Sequence, residues 1–280
     1  MTKTVREPYA AGKFYPSTET ELTQLFDLLL KREKSEINYK YSDKFIIGAV
    51  LPHAGYIYSG YQTIHFFEIL SLSQQKVDTF IVIHPIHRSG YCEYATDEYE
   101  SWRTPLGNLE LDTTFINAMN VPCSSSFHAH EHSGEVILPF IKKYFPHSNK
   151  FVPIGIGRQD TDIAKEIAGK ITDAVIHTGR RVCVIASSDF SHYVRPDFGR
   201  DMDQKVIDRI LDLDTKGVFR EIMNNNISVC GFGPIMALME YSKMNFPGVQ
   251  AGVMARGHSG EVHPSAAVVD YVSILFYMEK

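Results

Sequence analysis

The stretch FIIGAVLPHAGY, residues 45–56, carries the pattern on which the fold turns. Seven uncharged residues run from Phe45 to Leu51, Pro52 ends the run, and His53 follows at once. A short apolar run bounded by turn residues reads as a strand buried on both faces. Two other stretches have the same form. In TFIVIHPIH (79–87) the apolar run ends in His84, Pro85 and His87, and in RVCVIASSDFSH (181–192) it ends in Ser188, Asp189 and His192.

Outward from these runs, helical and extended patterns alternate. Thr18 and Glu21 form a capping box, and Leu22, Leu25, Phe26 and Leu29 then recur on one helical face up to the basic cluster at Lys31 to Lys34. Residues 59–71 read as a helix with Ile64, Phe67 and Leu70 inward. Asp112 is placed to cap a short helix ending near Asn120, and Ser133 to cap EVILPFIKKYF. FVPIGIG (151–157) is a strand, and Asp160 opens a helix with Ile163, Ile167, Ile171 and Val175 on one face, stopped by Gly179. Helices are expected near 201–212 and 215–224, and another from Pro234 to Lys243. Residues 249–256 and 266–277 are strand-like, while 84–107 shows no period and reads as a long functional loop. The sum is an α/β chain, one domain over residues 1–280, with a mostly parallel or mixed central β-sheet flanked by helices. HSGEV occurs at 132–136 and again at 258–262, but the flanks differ and no repeat architecture follows.

Composition narrows the function classes. The chain has 280 residues and a formal charge of −5, with no basic block, so nucleic acid is a poor partner on electrostatic grounds. No apolar run reaches the roughly 20 residues that span a bilayer, and the N-terminus lacks the apolar core of a signal peptide. Cys92, Cys123, Cys183 and Cys230 form no paired framework, so reduced thiols and a cytoplasmic setting are expected.

Histidine, twelve residues in all, carries the chemistry. In an open α/β sheet, ligands bind outside the carboxyl ends of the strands. If the three runs are parallel, His53, His87 and His192 meet at one edge although they are far apart in the chain. Convergent imidazoles with a thiolate or carboxylate are what a transition metal needs. Cys230 is the natural thiolate, since Gly231 to Pro234 open a helix whose positive end is expected to lower its pKa. Beside Glu131 and Glu135, His128 and His130 read instead as a polar loop capping the helix from Ser133, while His132 and Glu135, at i and i+3, could share a helix face and the role of His132 stays open. Tyr56, Tyr58 and Trp102 are candidates for a pocket mouth. A phosphate loop, a dinucleotide fingerprint and a serine-hydrolase elbow are all absent from the sequence.

VREPYAAGKFYPS, PHAGYIYSG, HPIH, RTPLGNLELD, EHSGEVILPF, ASSDFSHY and CGFGP follow one another in the order found in the Memo family, and the chain resembles that family over nearly its whole length. The family is similar in fold to class III extradiol (LigB-type) dioxygenases. The resemblance implies a metal-capable pocket with His53, His87 and Cys230 as ligands, and with Asp189 and His192 in the same vestibule. The dioxygenases use two histidines and a glutamate, whereas here a cysteine stands in the glutamate's place. His84 also departs from the pattern, standing where many relatives have glycine.

The expected function is that of a metal-dependent redox protein using Fe(II) or Cu, with Zn also compatible with the ligands. His192 would be the acid–base residue and Asp189 would orient it or a water. A small organic ligand would enter over Tyr56 and the 88–106 loop. The alternative is a non-catalytic module that binds a peptide or small ligand on a dioxygenase-like fold, and a third reading is a zinc hydrolase.

Overall fold

The strongest apolar runs lie side by side in the middle of the principal sheet. The computed structural model describes residues 4–88, 92–146 and 150–280. The chain opens with β1 (Val5–Arg6), α1 (Glu19–Glu33), β2 (Phe45–Leu51), α2 (Tyr56–Leu72) and β3 (Thr79–Pro85). Three short strands follow, β4 (Tyr94–Ala95), β5 (Ser101–Thr104) and β6 (Gly107–Glu110), then α3 (Thr113–Met119), α4 (Ser125–His128) and α5 (Leu138–Tyr144). Next come β7 (Lys150–Ile156), α6 (Thr161–Thr178), β8 (Val182–Ser187) and β9 (His192–Val194). The chain ends with α7 (Pro196–Leu211), α8 (Thr215–Asn225), α9 (Phe232–Asn245), β10 (Gln250–His258) and β11 (Val268–Met278).

The large sheet has the order β10-β11-β2-β8-β3-β7-β4, with β9 paired to β11 off this path. Strands β2, β8, β3 and β7 are mutually parallel, and β11 and β4 run antiparallel at the two flanks of this block. The α/β architecture with a mixed sheet and flanking helices is thus as the sequence indicates. The parallel strands are buried along nearly their whole length, which is why their sequences are continuous apolar runs rather than alternating ones. Strands β2 and β8 approach so closely that a Cβ on Gly48 would lie 1.9 Å from the Val184 carbonyl oxygen, so only glycine fits there.

Helix α9 is buried almost all round, with Gly233 to Met239 covered, because it lies on β2, β3 and β8 and packs along α6. Helix α2 lies against β2, β10 and β11 and takes α1 and α5 on its other side. Helix α1 has the expected cap, Thr18, and buries Leu22, Phe26 and Leu29. Asp112 and Asp160 cap α3 and α6 as read from the sequence, and Gly179 ends α6 in the left-handed conformation.

Three local expectations need correction. The 84–107 segment holds β4, β5 and the start of β6 rather than one long loop; its residues 89–91 lie outside the described residues. Ser133 does not cap a helix. Its hydroxyl bonds the Pro85 carbonyl at 2.8 Å, and the helix begins later, after a 3₁₀ turn over Glu135–Ile137. Helix α7 starts at Pro196, five residues before the apolar period becomes visible, because proline suits a first helical turn.

A second sheet, β1-β5-β6, closes the region beyond β3. Arg6 and Trp102 are its centre. The guanidinium stacks 4.0 Å from the indole and pairs with the fully buried Glu135 at 2.6 Å. Glu135 also accepts from the Tyr9 and Ala10 amides and the Tyr15 hydroxyl, so one carboxylate ties down the whole N-terminal segment. Trp102 and Tyr56 are therefore core residues and not part of a pocket mouth.

Candidate metal centre

Because β2, β3 and β8 are parallel neighbours, their carboxyl ends lie together, and the residues that follow them meet. His53 follows β2, and its backbone N–H donates to Asp189 Oδ1 at 2.8 Å, which ties the end of β2 to the end of β8. His87 follows β3, and its N–H donates to Glu131 Oε2 at 2.7 Å. Cys230 lies at the entrance to α9, where Gly231 lets the backbone press against the end of β8. A Cβ at residue 231 would sit 2.3 Å from the Ser187 carbonyl oxygen.

The imidazoles of His53, His87 and His132 form one cluster, with a nitrogen from each within 4.8 Å of the others. The rings of His87 and His132 stack at 4.8 Å between centroids, and His53 meets them edge-on at 5.2 and 5.5 Å. Phe14 stacks on the other face of His132 at 4.3 Å, so the anchored N-terminal segment forms a wall of the site.

The ring tautomers follow from the partners. Glu131 Oε1 lies 3.0 Å from His87 Nδ1 and 3.2 Å from His132 Nδ1, so both rings present Nδ1–H to one carboxylate. Ser187 Oγ donates its only proton to the Ser133 carbonyl at 2.7 Å, so it must accept from His53 Nδ1, 2.9 Å away. All three Nδ1 atoms are thus engaged, which leaves Nε2 of each ring as the nitrogen open to an ion; that of His53 faces the Cys230 sulfur. Such outer partners fix the orientation and raise the basicity of ligating histidines.

The charges agree with this arrangement. Burial alone would raise the Glu131 pKa, but the hydrogen bonds from His132 and His87 hold it far below the usual carboxylate range. Burial pulls His87 down most strongly, but the hydrogen bond to Glu131 together with the Glu131 and Asp189 charges leaves the ring above its ordinary value. Burial, with the neighbouring His132 and His87, keeps His53 well below its ordinary value, so it is neutral at physiological pH.

Cys230 Sγ lies 3.2 Å from His53 Nε2, and the Asp189 N–H donates to the same sulfur at 3.2 Å. The expected lowering of the thiol pKa by the helix end is reversed. Burial and the nearby Asp189 charge push it well above its usual value, so the metal-free thiol keeps its proton and directs it to His53 Nε2. The Asp189 carboxyl holds the backbone after β2 and is itself raised above the ordinary carboxylate range by burial. His192 stands to one side, its Nδ1 2.7 Å from the Ser228 carbonyl. The ring is positioned by that carbonyl, with Asp189 engaged elsewhere.

Of the residues singled out in the sequence, the structure gathers His53, His87 and Cys230 at one sheet edge with Asp189 beneath them and His192 beside them. Sequence reasoning left out two members of this group, His132 as a third imidazole and Glu131 as the carboxylate that orients two rings. Both lie in an irregular segment between α4 and the 3₁₀ turn, where no period marks direction, and only the density of histidine and acid there was a signal. His84 is fully buried behind the cluster, bonded through Nδ1 to Ser133 Oγ at 3.1 Å and packed on Gly134. His128 is buried beside it, with ring centroids 5.2 Å apart. The four cysteines are unpaired thiols, and among the described residues no helix is long and apolar enough to cross a membrane.

Comparison with known proteins agrees with this architecture. The family model described as "Memo-like protein" matches residues 6–275. A MEMO1 family protein of Methanosarcina acetivorans is 38% identical, covering 97% of this chain and 98% of its own length. One from Archaeoglobus fulgidus is 37% identical, covering 97% and 99%. Among solved structures, an uncharacterised protein of Escherichia coli K12 superposes with a TM-score of 0.51 over 82% of this chain and 99% of its own, at 10% identity, which is a likeness of fold alone. With a family match that runs from β1 into β11 and relatives that align end to end, the chain belongs to the Memo-like family.

Proposed function

We propose that this protein is a metal-dependent redox protein whose ion, Fe(II) or Cu, is held by His53, His87 and Cys230, with His132 as a third imidazole. The observation that carries the proposal is a nitrogen from each of three imidazoles within 4.8 Å of the others, with every Nδ1 engaged by Glu131 or Ser187 so that Nε2 is the nitrogen open to an ion. Imidazole nitrogens with one sulfur suit iron, copper and zinc, and suit calcium or magnesium poorly. Cys230 stands outside the three-imidazole cluster but at ligand spacing from His53. With metal–nitrogen and metal–sulfur bonds of about 2.1 and 2.3 Å, two ligands of one tetrahedral ion stand about 3.5 Å apart. Cys230 Sγ and His53 Nε2 are 3.2 Å apart.

An iron or copper ion bound there supplies one-electron chemistry and open positions for oxygen, while zinc would supply a Lewis acid. The protein's own residues do the rest. His192 presents Nε2 as a proton acceptor, because a carbonyl can only accept and Nδ1 must therefore carry the ring proton. Asp189 secures the junction of β2 with β8, and its carboxyl retains a proton to higher pH than an exposed aspartate. The resemblance of the family to class III dioxygenases supports the same reading.

The test is oxygen uptake by metal-free protein supplied anaerobically with one equivalent of Fe(II) and ascorbate as reductant. Uptake above that of free Fe(II), lost in His53→Ala and Cys230→Ser and absent with Zn(II), is expected. Uptake that survives both substitutions would contradict the proposal. Hydrolytic activity with Zn(II) alone would favour the zinc hydrolase instead.

A further inference from the structure

Beside the candidate centre lies an open cleft of about 570 Å³, within the range of small-molecule sites. Its polar end is formed by His87, His192 and Cys230. Its apolar wall comes from the last turn of α8, the segment after it and the start of α9, through Ile222, Ile227, Val229 and Phe232, with Met223 at the rim. The cleft opens over α8 and α9, away from the Tyr56 side from which the sequence suggested entry, since Tyr56 is buried with its hydroxyl on the Val136 carbonyl.

Charge decides what the cleft can hold. No Asp, Glu, Lys or Arg is among the described residues that line it. A charged ligand would lose its hydration against Ile222, Ile227 and Val229 with no counter-charge to replace it. The cleft's remaining polar groups are Gln159, Tyr193, Asn226 and Ser228, the last accepting from the His192 N–H through Oγ at 2.8 Å. Gln159 spends its amide on the turn into α9, donating to the Cys230 carbonyl at 2.8 Å and accepting from the Gly233 N–H at 2.7 Å. Of the two imidazoles at the polar end, both with Nδ1 committed, His87 belongs to the proposed metal set, so His192 Nε2, whose partner nitrogen is committed to Ser228, is the acceptor left for a ligand.

We infer that this cleft binds an uncharged small organic molecule with an apolar body and one hydroxyl or N–H head group that donates to His192. The inference names the substrate class for the metal-dependent reading, on which it rests for the reaction but not for the binding. It is therefore tested on metal-free protein.

Four probes of one shape are titrated by calorimetry at pH 7: 4-propylphenol, its methyl ether 4-propylanisole, the anion of 4-propylbenzoic acid and protonated 4-propylbenzylamine. The phenol is expected to bind at one site. The ether should bind roughly 2- to 10-fold more weakly for want of one hydrogen bond. The two ions should bind at least about tenfold more weakly, for want of a counter-charge. Met223, 48% exposed at the rim, tolerates a charge without loss of fold, so Met223→Asp should weaken the phenol about tenfold or more. Ile176→Asp, at a site 76% exposed and outside the cleft, should leave it unchanged. In His192→Phe the phenol and the ether should bind alike. An ion that binds as tightly as the phenol overturns the inference, as does phenol affinity indifferent to Met223→Asp, or no binding by any probe. None of these results bears on whether the imidazole cluster takes up Fe(II), which is measured separately.

Discussion

Glu131 is the residue on which the geometry of the cluster depends most. Its carboxylate receives Nδ1 of His87 and of His132 and also the amides of His87, His132 and Ser133, so both rings and the backbone that carries them are fixed by one group. Removing its charge while keeping its shape separates orientation from packing. Glu131→Gln is expected to lower Fe(II) affinity about 10- to 100-fold, as loss of an outer carboxylate partner does elsewhere, with the fold retained. Competition against a chelator of known affinity reads the change; unaltered affinity would mean that the rings do not need this partner. At this scale the sequence was informative wherever a residue followed a strand. His53 and His87 could be placed because β2 and β3 announce where they end. Glu131 and His132 could not, because their positions depend on contacts between segments that no local period records.

The elements meet at junctions where glycine is required for space. Gly231 lies between Cys230 and α9, and a methyl group there would collide with the Ser187 carbonyl and lie 2.6 Å from Ser188 Cβ. Gly231→Ala should therefore open the contact between α9 and the end of β8, lower stability by about 1–3 kcal/mol, and move Cys230 from His53. Denaturant unfolding measures the first effect. The second is read from the thiolate-to-metal absorption of the Co(II)-loaded protein, which should weaken or vanish; a band of full intensity would show that the junction absorbs the methyl group. Long elements were legible in the sequence, since α1, α6 and the four parallel strands are long enough to show a period or a continuous apolar run. Strands β4, β5 and β6, of two to four residues, are too short for either, and they formed the stretch that reads as a loop.

Across the whole molecule, the mixed sheet gathers imidazoles in two layers, the open cluster at the sheet edge and the sealed pair His84 and His128 behind it. Burial lowers His84 to about 3 and His128 to about 4. In the unfolded chain both titrate near the ordinary value of about 6.5. Below that pH the unfolded state binds protons that the folded state refuses, so the stability these groups contribute is present above about 6.5 and is lost as pH falls toward their folded values. Each contributes a slope of up to about 1.4 kcal/mol per pH unit. His84→Gln should therefore lose less stability than the unsubstituted chain between pH 6.5 and 4.5 in parallel urea titrations. Identical slopes would show that His84 takes up its proton in the folded state as readily as in the unfolded one. Nothing in the sequence distinguished these sealed histidines from those at the edge, because His84 and His87 are only three residues apart, one inside β3 and buried, the other just past its end and partly exposed.

The account stands on one ion shared by side chains from distant parts of the chain, and anaerobic titration of metal-free protein with Fe(II) tests it most directly. The expected result is one ion per chain, held tightly enough to compete with a chelator, and lost when His53→Ala is combined with Cys230→Ser. Binding below one equivalent, or uptake that the double substitution leaves intact, would contradict it.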